Sequence, residues 1–157
     1  MTHKPFLSQP RPENSRAIPG ALFHFLATGE QTNNQFSLMY IEVHKGNEPP
    51  PHTHRNEDET YYILEGNIKF WVGDEVFEAG PGEFVHLPKN IPHRFELQSE
   101  CVKELMWMTP AGLEQWFWDN SAPAANMQPL PHMTEPPSAE MINHFVQSLS
   151  EYGVDMI

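Results

Sequence analysis

The sequence predicts an all-β domain, because short strand-like segments follow one another at regular intervals from residue 21 onwards. Turn residues separate nearly all of these segments, as in Gly66-Asn67, Gly73-Asp74 and Gly80-Pro81-Gly82. Such spacing favours antiparallel hairpins that close into a barrel or a sandwich. A chain of 157 residues, 39% of them hydrophobic, can bury one substantial core and is too short for two ordinary domains.

Eight segments carry the strand pattern, since they are rich in β-branched, aromatic or alternating apolar residues. They are residues 21–26, 36–43, 60–64, 67–72, 75–78, 83–87, 93–97 and 102–108. We therefore expect the β domain to occupy residues 21–110. The first 20 residues are rich in Pro, Ser, Asn and Arg, which predicts an irregular N-terminal arm over residues 1–20 that lies over the domain or is flexible.

Residues 111–157 are expected to form a helical extension that packs on the β domain. Residues 111–119 contain Trp116-Phe117-Trp118 and predict a short helix, which a Pro-rich crossing over residues 120–137 follows. Ser138 is a candidate N-cap for a second helix running to about Tyr152. This helix should pack on an apolar surface of the β domain through one apolar face. The residues of that face are Met141, Ile142, Phe145, Val146 and Leu149.

Three histidines and one glutamate are spaced so that a single metal ion could collect them. His52 and His54 are two residues apart, so in an extended strand both side chains leave the same face. The polar residues 55–58 predict a turn, in which we expect Glu57 and Asp58 only to solvate the backbone, and Glu59 then opens a strand. With His93, this donor set suits iron, manganese, nickel, cobalt, copper or zinc better than calcium.

These residues resemble the sequence motifs of the cupin superfamily. The first cupin motif is matched at every fixed position by Gly46, His52, His54, Glu59 and Gly66. The second motif is matched at Gly82, Pro88 and His93. Asn90 stands where the family often has Gly, and since Asn tolerates a positive φ the tight turn can be kept. Leu97 stands where the family often has Asn, but that position is not a ligand.

The resemblance covers roughly residues 35–110 and implies an antiparallel jelly-roll barrel with one divalent transition metal ion inside. The segment Met108-Thr109-Pro110-Ala111-Gly112 and the terminal helix resemble the quercetin-dioxygenase-like single-domain cupins. This resemblance implies a dioxygenase that acts on a small enolic or aromatic, flavonol-like substrate bound to the metal. Glu59 is then the expected proton acceptor, and Tyr61 a candidate catalytic acid or base, although packing in a strand is the alternative for Tyr61.

Other functions remain compatible with the same ligand set. The metal ion could serve only as a Lewis acid in an isomerase, lyase or cyclase, or the domain could be a non-catalytic binder of small molecules. Strand alternation predicts an apolar, aromatic lining around the metal, with Tyr61 and Phe95 facing it. Such a lining suits a flat aromatic or enolic molecule better than a sugar phosphate.

The net charge and the composition limit the classes of binding partner and the cellular compartment that we expect. The formal net charge of −12, from 21 acidic and 9 basic residues, disfavours binding to nucleic acids or to anionic membrane surfaces. The single cysteine, Cys101, cannot form an internal disulfide bond, and no leader or membrane-spanning segment is evident, so we expect a cytoplasmic protein. Cupin-like barrels commonly pair through an edge sheet, and the predicted C-terminal helices offer apolar surface for such pairing, so the resemblance implies a homodimer.

Overall fold

Two antiparallel β-sheets make up most of the protein in the computed structural model, which describes residues 4–157. The strands are β1 (Ser15–Ile18), β2 (Ala21–Ala27), β3 (Ser37–His44), β4 (His52–His54), β5 (Asp58–Glu65), β6 (Ile68–Val72), β7 (Glu75–Ala79), β8 (Phe84–Leu87), β9 (His93–Leu97), β10 (Cys101–Thr109), β11 (Ala122–Pro123) and β12 (Val154–Met156). The helices are a 3-10 turn (Pro12–Asn14), α1 (Gly29–Thr32), α2 (Glu114–Asp119) and α3 (Ala139–Glu151).

The larger sheet has the strand order β11-β1-β2-β3-β10-β5-β8, and the smaller sheet has the order β12-β4-β9-β6-β7. Both sheets contribute to one apolar core, in which Met39 and Ile63 of the larger sheet and Phe70 and Leu97 of the smaller sheet are fully buried. The jelly-roll arrangement expected from the sequence is therefore confirmed.

Buried and more exposed side chains alternate strictly along the central strands, which defines the face of each strand that meets the core. Along β3, every second side chain from Ser37 to Val43 is buried, and β10 shows the same alternation. Because successive side chains of a strand point to opposite faces, one face of each strand meets the core and the other meets solvent. All eight predicted strand segments lie on observed strands, with end points that differ by a few residues.

The prediction of an irregular arm over residues 1–20 is wrong for Ser15–Ile18. This segment forms β1, which pairs with both β2 and β11 and so extends the larger sheet. Residues 1–3 lie outside the described part of the chain. The strand was missed because Arg16 interrupts its apolar pattern. The Arg16 guanidinium hydrogen-bonds to Ser121 and lies over the Trp118 ring, 4.8 Å from its centroid.

The two C-terminal helices pack on the mouth of the β domain. In α2, Phe117 and Trp118 contact Phe23 and Phe25 of β2, with ring centroids about 5 Å apart. The predicted cap of α3 is confirmed, since Ser138 Oγ accepts a hydrogen bond from the Met141 amide. Among the described residues, no helix is long and apolar enough to span a membrane.

Candidate metal centre

Three strands bring the four predicted ligand residues together. His52 and His54 lie on β4, Glu59 lies at the start of β5 and His93 begins β9. The strands β4 and β9 are paired with His52 directly opposite His93. All four side chains are buried, and one donor atom from each lies within 4.8 Å of the others. We call these four residues the His/Glu cluster.

The donor atoms of the cluster face one another and lack other partners. Glu59 Oε2 lies 3.4 Å from His93 Nε2 and 3.9 Å from His54 Nε2. Within residues 4–157, none of these three buried atoms has a hydrogen-bond partner. Buried polar atoms are normally satisfied, and leaving three unpaired in one place is unfavourable. A metal ion would satisfy all three at once, so the residues present fit a metal ion.

The outer nitrogen of each histidine is fixed by a hydrogen bond. His52 Nδ1 donates to the Pro50 carbonyl at 2.8 Å, and His93 Nδ1 donates to the Ile91 carbonyl at 3.0 Å. A carbonyl oxygen can only accept, so Nδ1 carries a proton, and in the neutral tautomer Nε2 then keeps its lone pair. This arrangement directs Nε2 into the cluster, as in metal-binding histidines.

Glu57 fixes the outer nitrogen of His54 by a hydrogen bond. This contact was not predicted from the sequence. The Oε1 atom of Glu57 lies 2.7 Å from His54 Nδ1, and both side chains are buried. The expectation that Glu57 only solvates the turn is therefore wrong. The residue was missed because it stands in an acidic run, and only the fold reveals that its side chain turns inward while Asp58 accepts a hydrogen bond from the Lys89 amide.

Burial and mutual proximity shift the protonation of the cluster. Burial lowers the pKa of His52 to about 4. Burial alone would also lower the pKa of His54, but the carboxylates of Glu59 and Glu57 outweigh it and raise that pKa. Burial works to raise the pKa of Glu59, but the His54 and His93 imidazoles lower it to about 2. The carboxylate is therefore ionised and available as a ligand over the physiological range.

The cluster opens into a cavity of about 680 Å³ whose lining is mainly apolar. Strands β3 and β10 line it with Ile41, Val43 and Met106, and helix α3 lines it with Phe145 and Leu149. Among the described residues that line it there is no lysine or arginine. The cavity can hold a small, flat and weakly polar molecule in contact with the cluster.

Two buried polar side chains outside the cluster line this cavity, which the partly exposed Asn47 and Glu48 also line. Tyr61, the second candidate catalytic residue, is 3% exposed and lies across the strand pair from Met106. Burial, followed by the charge of Glu59, raises the pKa of the Tyr61 hydroxyl well above its usual value. Glu104 is the other, and its side chain is 2% exposed. The sequence does not mark Glu104 as a site residue, because a charged residue within a strand normally occupies a solvent-facing position.

The C-terminal strand β12 pairs with the outer edge of β4, the strand that carries His52 and His54. In this pairing, Val154 lies opposite His54 and Met156 lies opposite His52. The Arg55 amide also donates to the Gly153 carbonyl at 2.8 Å. A strand so close to the C-terminus was not predicted, because Val154-Asp155-Met156 is too short to show a pattern. Its pairing fixes the positions from which two of the four cluster residues project.

A second group of donor atoms lies away from the cavity. Glu42, His44 and Cys101 each place one donor within 4.8 Å of the others, and all three are partly exposed. His44 Nε2 lies 3.1 Å from Glu42 Oε1, which is an ordinary exposed pair between neighbours on β3. Unlike the His/Glu cluster, this group includes no buried donor that lacks a partner.

Comparison with known proteins identifies the domain. Residues 39–109 match the cupin domain family, and the match includes all four cluster residues. The chain carries a cupin domain. The family resemblance expected from the two motifs is therefore confirmed, and strands β1, β2, β11 and β12 lie outside the matched residues 39–109.

Two quercetin 2,3-dioxygenases are similar in sequence to this cupin. The Bacillus subtilis enzyme is 31% identical over 106 residues, which cover 67% of this chain and 32% of that protein. The Aspergillus japonicus enzyme is 25% identical over 104 residues, which cover 62% of this chain and 30% of that protein. The chain thus spans about a third of the length of these curated relatives.

A solved structure is similar in fold. A Streptomyces nucleoside dehydratase superposes with a TM-score of 0.56 at 18% sequence identity, over 71% of this chain and 88% of that one. At this level of identity the likeness concerns the fold of the cupin domain and leaves the activity open.

Proposed function

We propose that this cupin is a metal-dependent dioxygenase that acts on a small enolic or aromatic, flavonol-like substrate. The observation that carries the proposal is the set of inward-facing donors of the His/Glu cluster, at the end of an apolar cavity. Because His52, His54 and Glu59 line the cavity, an ion held by the cluster would be accessible to a substrate there, as a catalytic metal ion must be. The similarity to two quercetin 2,3-dioxygenases supports the reaction class.

The proposed site residues have distinct roles. His52, His54, Glu59 and His93 hold one divalent transition metal ion, and the chemistry of these donors suits iron, manganese, nickel, cobalt, copper and zinc. When bound, such an ion supplies a Lewis-acid centre for a substrate oxygen and, for the redox-active metals, a partner for dioxygen. Glu57 and the Pro50 and Ile91 carbonyls orient the three imidazoles.

Glu59 is the proposed general base. It is the single carboxylate in the cluster, so it is the one group of the four that can shift between holding the ion and accepting the hydroxyl proton of an enol or phenol. Loss of that proton leaves an electron-rich enolate carbon, which can react with dioxygen. Tyr61, two residues along the same strand face, is the second proposed catalytic residue, because its buried hydroxyl stays protonated and can donate a hydrogen bond to a substrate oxygen.

The apolar lining fixes the substrate and excludes water. Ile41, Val43 and Met106 form one flat wall, and Phe95 faces Tyr61 with ring centroids 6.1 Å apart. The absence of lysine and arginine among the described lining residues disfavours phosphorylated substrates, which need cationic partners. Flat neutral molecules with one acidic hydroxyl fit these properties best.

An alternative is a lyase, isomerase or cyclase in which the ion acts only as a Lewis acid. The presence of two buried protic groups, Tyr61 and Glu104, in the same cavity favours this second candidate, since both can move protons without dioxygen. A non-catalytic binder of small molecules would use the same cavity without turnover.

Oxygen consumption separates these possibilities. Protein loaded in turn with iron, manganese, cobalt, nickel, copper and zinc is assayed in an oxygen electrode over a panel of flavonols and enol-diketones. We expect uptake of dioxygen with at least one redox-active metal and at least one flavonol, and loss of that uptake in His52→Ala. Turnover that continues under anaerobic conditions supports the Lewis-acid alternative. Binding without product under either condition identifies a binder.

A further inference from the structure

Glu104 occupies an unusual place for a carboxyl group. It lies on β10, the strand between β3 and β5, directly opposite Ile41 on one side and Ile63 on the other. Its neighbours on the same face of β10 are Val102 and Met106, and both are buried. A glutamate with this apolar surrounding is normally replaced by a hydrophobic residue unless its polar atoms have a use.

The structure offers no internal partner for this group. Glu104 Oε2 is buried, and among residues 4–157 no atom hydrogen-bonds to it. No lysine, arginine or histidine of the described chain forms an ion pair with Glu104 at the salt-bridge distance that eight other pairs meet. A buried carboxyl without a partner destabilises the fold, so its presence calls for a partner from outside the chain.

The cavity connects Glu104 with the His/Glu cluster. Both line the same space of about 680 Å³, in which the other lining side chains are predominantly apolar. A molecule that fills this space to reach the cluster therefore also meets Glu104. A polar group of that molecule at this position would meet the Glu104 carboxyl group among the apolar side chains of Ile41, Ile63 and Met106.

We infer that Glu104 is a second anchor for the substrate, whose buried and unpartnered carboxyl group hydrogen-bonds to a hydroxyl or carbonyl group remote from the oxygen held at the cluster. This inference rests on the proposed function and specifies its substrate class as flat molecules with a neutral polar group at each end. Burial, followed by the negative charge of Glu59, raises the pKa of Glu104 to about 8, so near neutral pH its carboxyl is mostly protonated. In that state it can donate one hydrogen bond and accept others.

The chemistry of this anchor excludes some substrates. A carboxylate or phosphate at the remote end would face the ionisable Glu104 without a compensating cation among the described lining residues. A substrate whose remote end is purely apolar would form no hydrogen bond with Glu104, so its binding would gain nothing from that residue. Hydroxylated aromatic molecules satisfy both conditions.

The test compares two flavonols in equilibrium binding to metal-loaded protein without dioxygen. One flavonol carries only the hydroxyl of the enol, and the other carries additional hydroxyls on both outer rings. Binding is followed by the change in flavonol absorbance, which does not depend on turnover. The variants are Glu104→Leu, Glu104→Gln and, as a matched control, Glu65→Leu, which removes an exposed carboxylate from the neighbouring strand β5.

We expect Glu104→Leu to weaken binding of the polyhydroxylated flavonol about tenfold and to leave the simple flavonol unchanged or bound more tightly. Glu104→Gln should retain most of the affinity, because an amide can still donate and accept, and Glu65→Leu should match the wild type. Equal effects of Glu104→Leu on both flavonols, or none on either, would overturn the inference.

Failure of the proposed function gives a different pattern. Binding with the expected discrimination but no oxygen uptake with any metal would reject the dioxygenase and keep the anchor. Failure of the wild-type protein to bind either flavonol would reject both the substrate class and the anchor. Thermal unfolding of each variant, measured alongside, verifies that the bound fraction reports on folded protein.

Discussion

Glu57 Oε1 lies 2.7 Å from His54 Nδ1, and both side chains are almost completely buried. The carboxylate fixes the tautomer and the ring plane of His54, so that Nε2 points at Glu59 Oε2. Carbonyl oxygens perform this function for His52 and His93, but a carboxylate also makes the imidazole more basic and a stronger ligand. His54 is thus expected to be the histidine whose metal bond depends most on a neighbouring side chain.

Replacement of Glu57 by alanine should weaken metal binding by roughly 10- to 100-fold, because the outer hydrogen bond to His54 is lost. Glu57→Gln keeps an acceptor oxygen and should fall between alanine and the wild type. The affinity is measured by competition with a chromophoric chelator. Glu75→Ala, at an exposed position on β7, is the control. Unchanged affinity in Glu57→Ala would mean that packing alone orients His54.

Removal of residues 153–157 should lower both metal affinity and thermal stability. The truncated chain loses β12, whose three pairs with β4 position His52 and His54. Metal competition and thermal unfolding of the metal-free protein measure the two effects. Deletion of Ile157 alone, a residue that is 71% exposed, keeps all three strand pairs and serves as the control. Full metal affinity in the longer truncation would show that the β4–β9 pairing suffices.

The sequence predicted the β domain and the cluster because both leave local patterns. Alternation along residues 36–43 and 102–108 marks the inner faces of β3 and β10, and the two-residue spacing of His52 and His54 marks a shared strand face. These patterns depend only on backbone geometry. The cluster residues converge as expected, whereas metal binding itself and the catalytic roles of Glu59 and Tyr61 stay predictions.

Other parts of the site depend on long-range contacts that leave no local pattern. Glu57 resembles any turn residue until the fold turns it towards His54. Glu104 interrupts the apolar alternation of β10, and only the strand register places it beside Ile41 and Ile63. The strand β12 is defined by a partner about 100 residues earlier in the chain. The homodimer and the cytoplasmic location also stay predictions, and light scattering would test the first.

Replacing Asn90 by glycine should leave the stability of the fold nearly unchanged, whereas replacing it by valine should lower that stability. Its φ of 63° lies in the left-handed region, as predicted for a residue that replaces the usual cupin glycine, and its amide donates to the His54 carbonyl at 2.7 Å. Asn90→Gly should therefore change the free energy of unfolding little. Asn90→Val should lower it by about 1 to 2 kcal/mol, because a β-branched side chain is strained there. Urea denaturation measures both, and equal stability of the two variants would contradict the argument.

The Glu104 carboxyl should make the metal-free protein less stable as the pH rises. Its pKa is about 8 in the folded protein and near the usual 4.5 in the unfolded chain, so the folded state binds more protons between these values. Its stabilising contribution is complete below about pH 4.5 and is lost as the pH rises through about 8. Glu104→Gln removes this dependence.

The stability advantage of Glu104→Gln over the wild type should therefore grow between about pH 5 and about pH 8.5, reaching a few kcal/mol. Urea denaturation at both pH values measures this difference. Glu65→Gln, at an exposed position on β5, should show no such growth. A constant difference between Glu104→Gln and the wild type would mean that Glu104 titrates near its ordinary pKa in the folded protein.

Glu59→Gln should separate metal binding from proton transfer. The amide oxygen remains a weak ligand beside three imidazoles, so the variant should keep part of its metal, but an amide cannot accept the substrate proton at neutral pH. Metal content is determined by elemental analysis, and oxygen uptake is compared with that of the wild type at equal metal loading. We expect turnover to fall by about 100-fold or more, within the range attributed to general acid–base catalysis. Full activity at equal loading would remove Glu59 from the proton transfer and leave it a ligand, in which case Tyr61 and Glu104 become the remaining acid–base groups of the cavity.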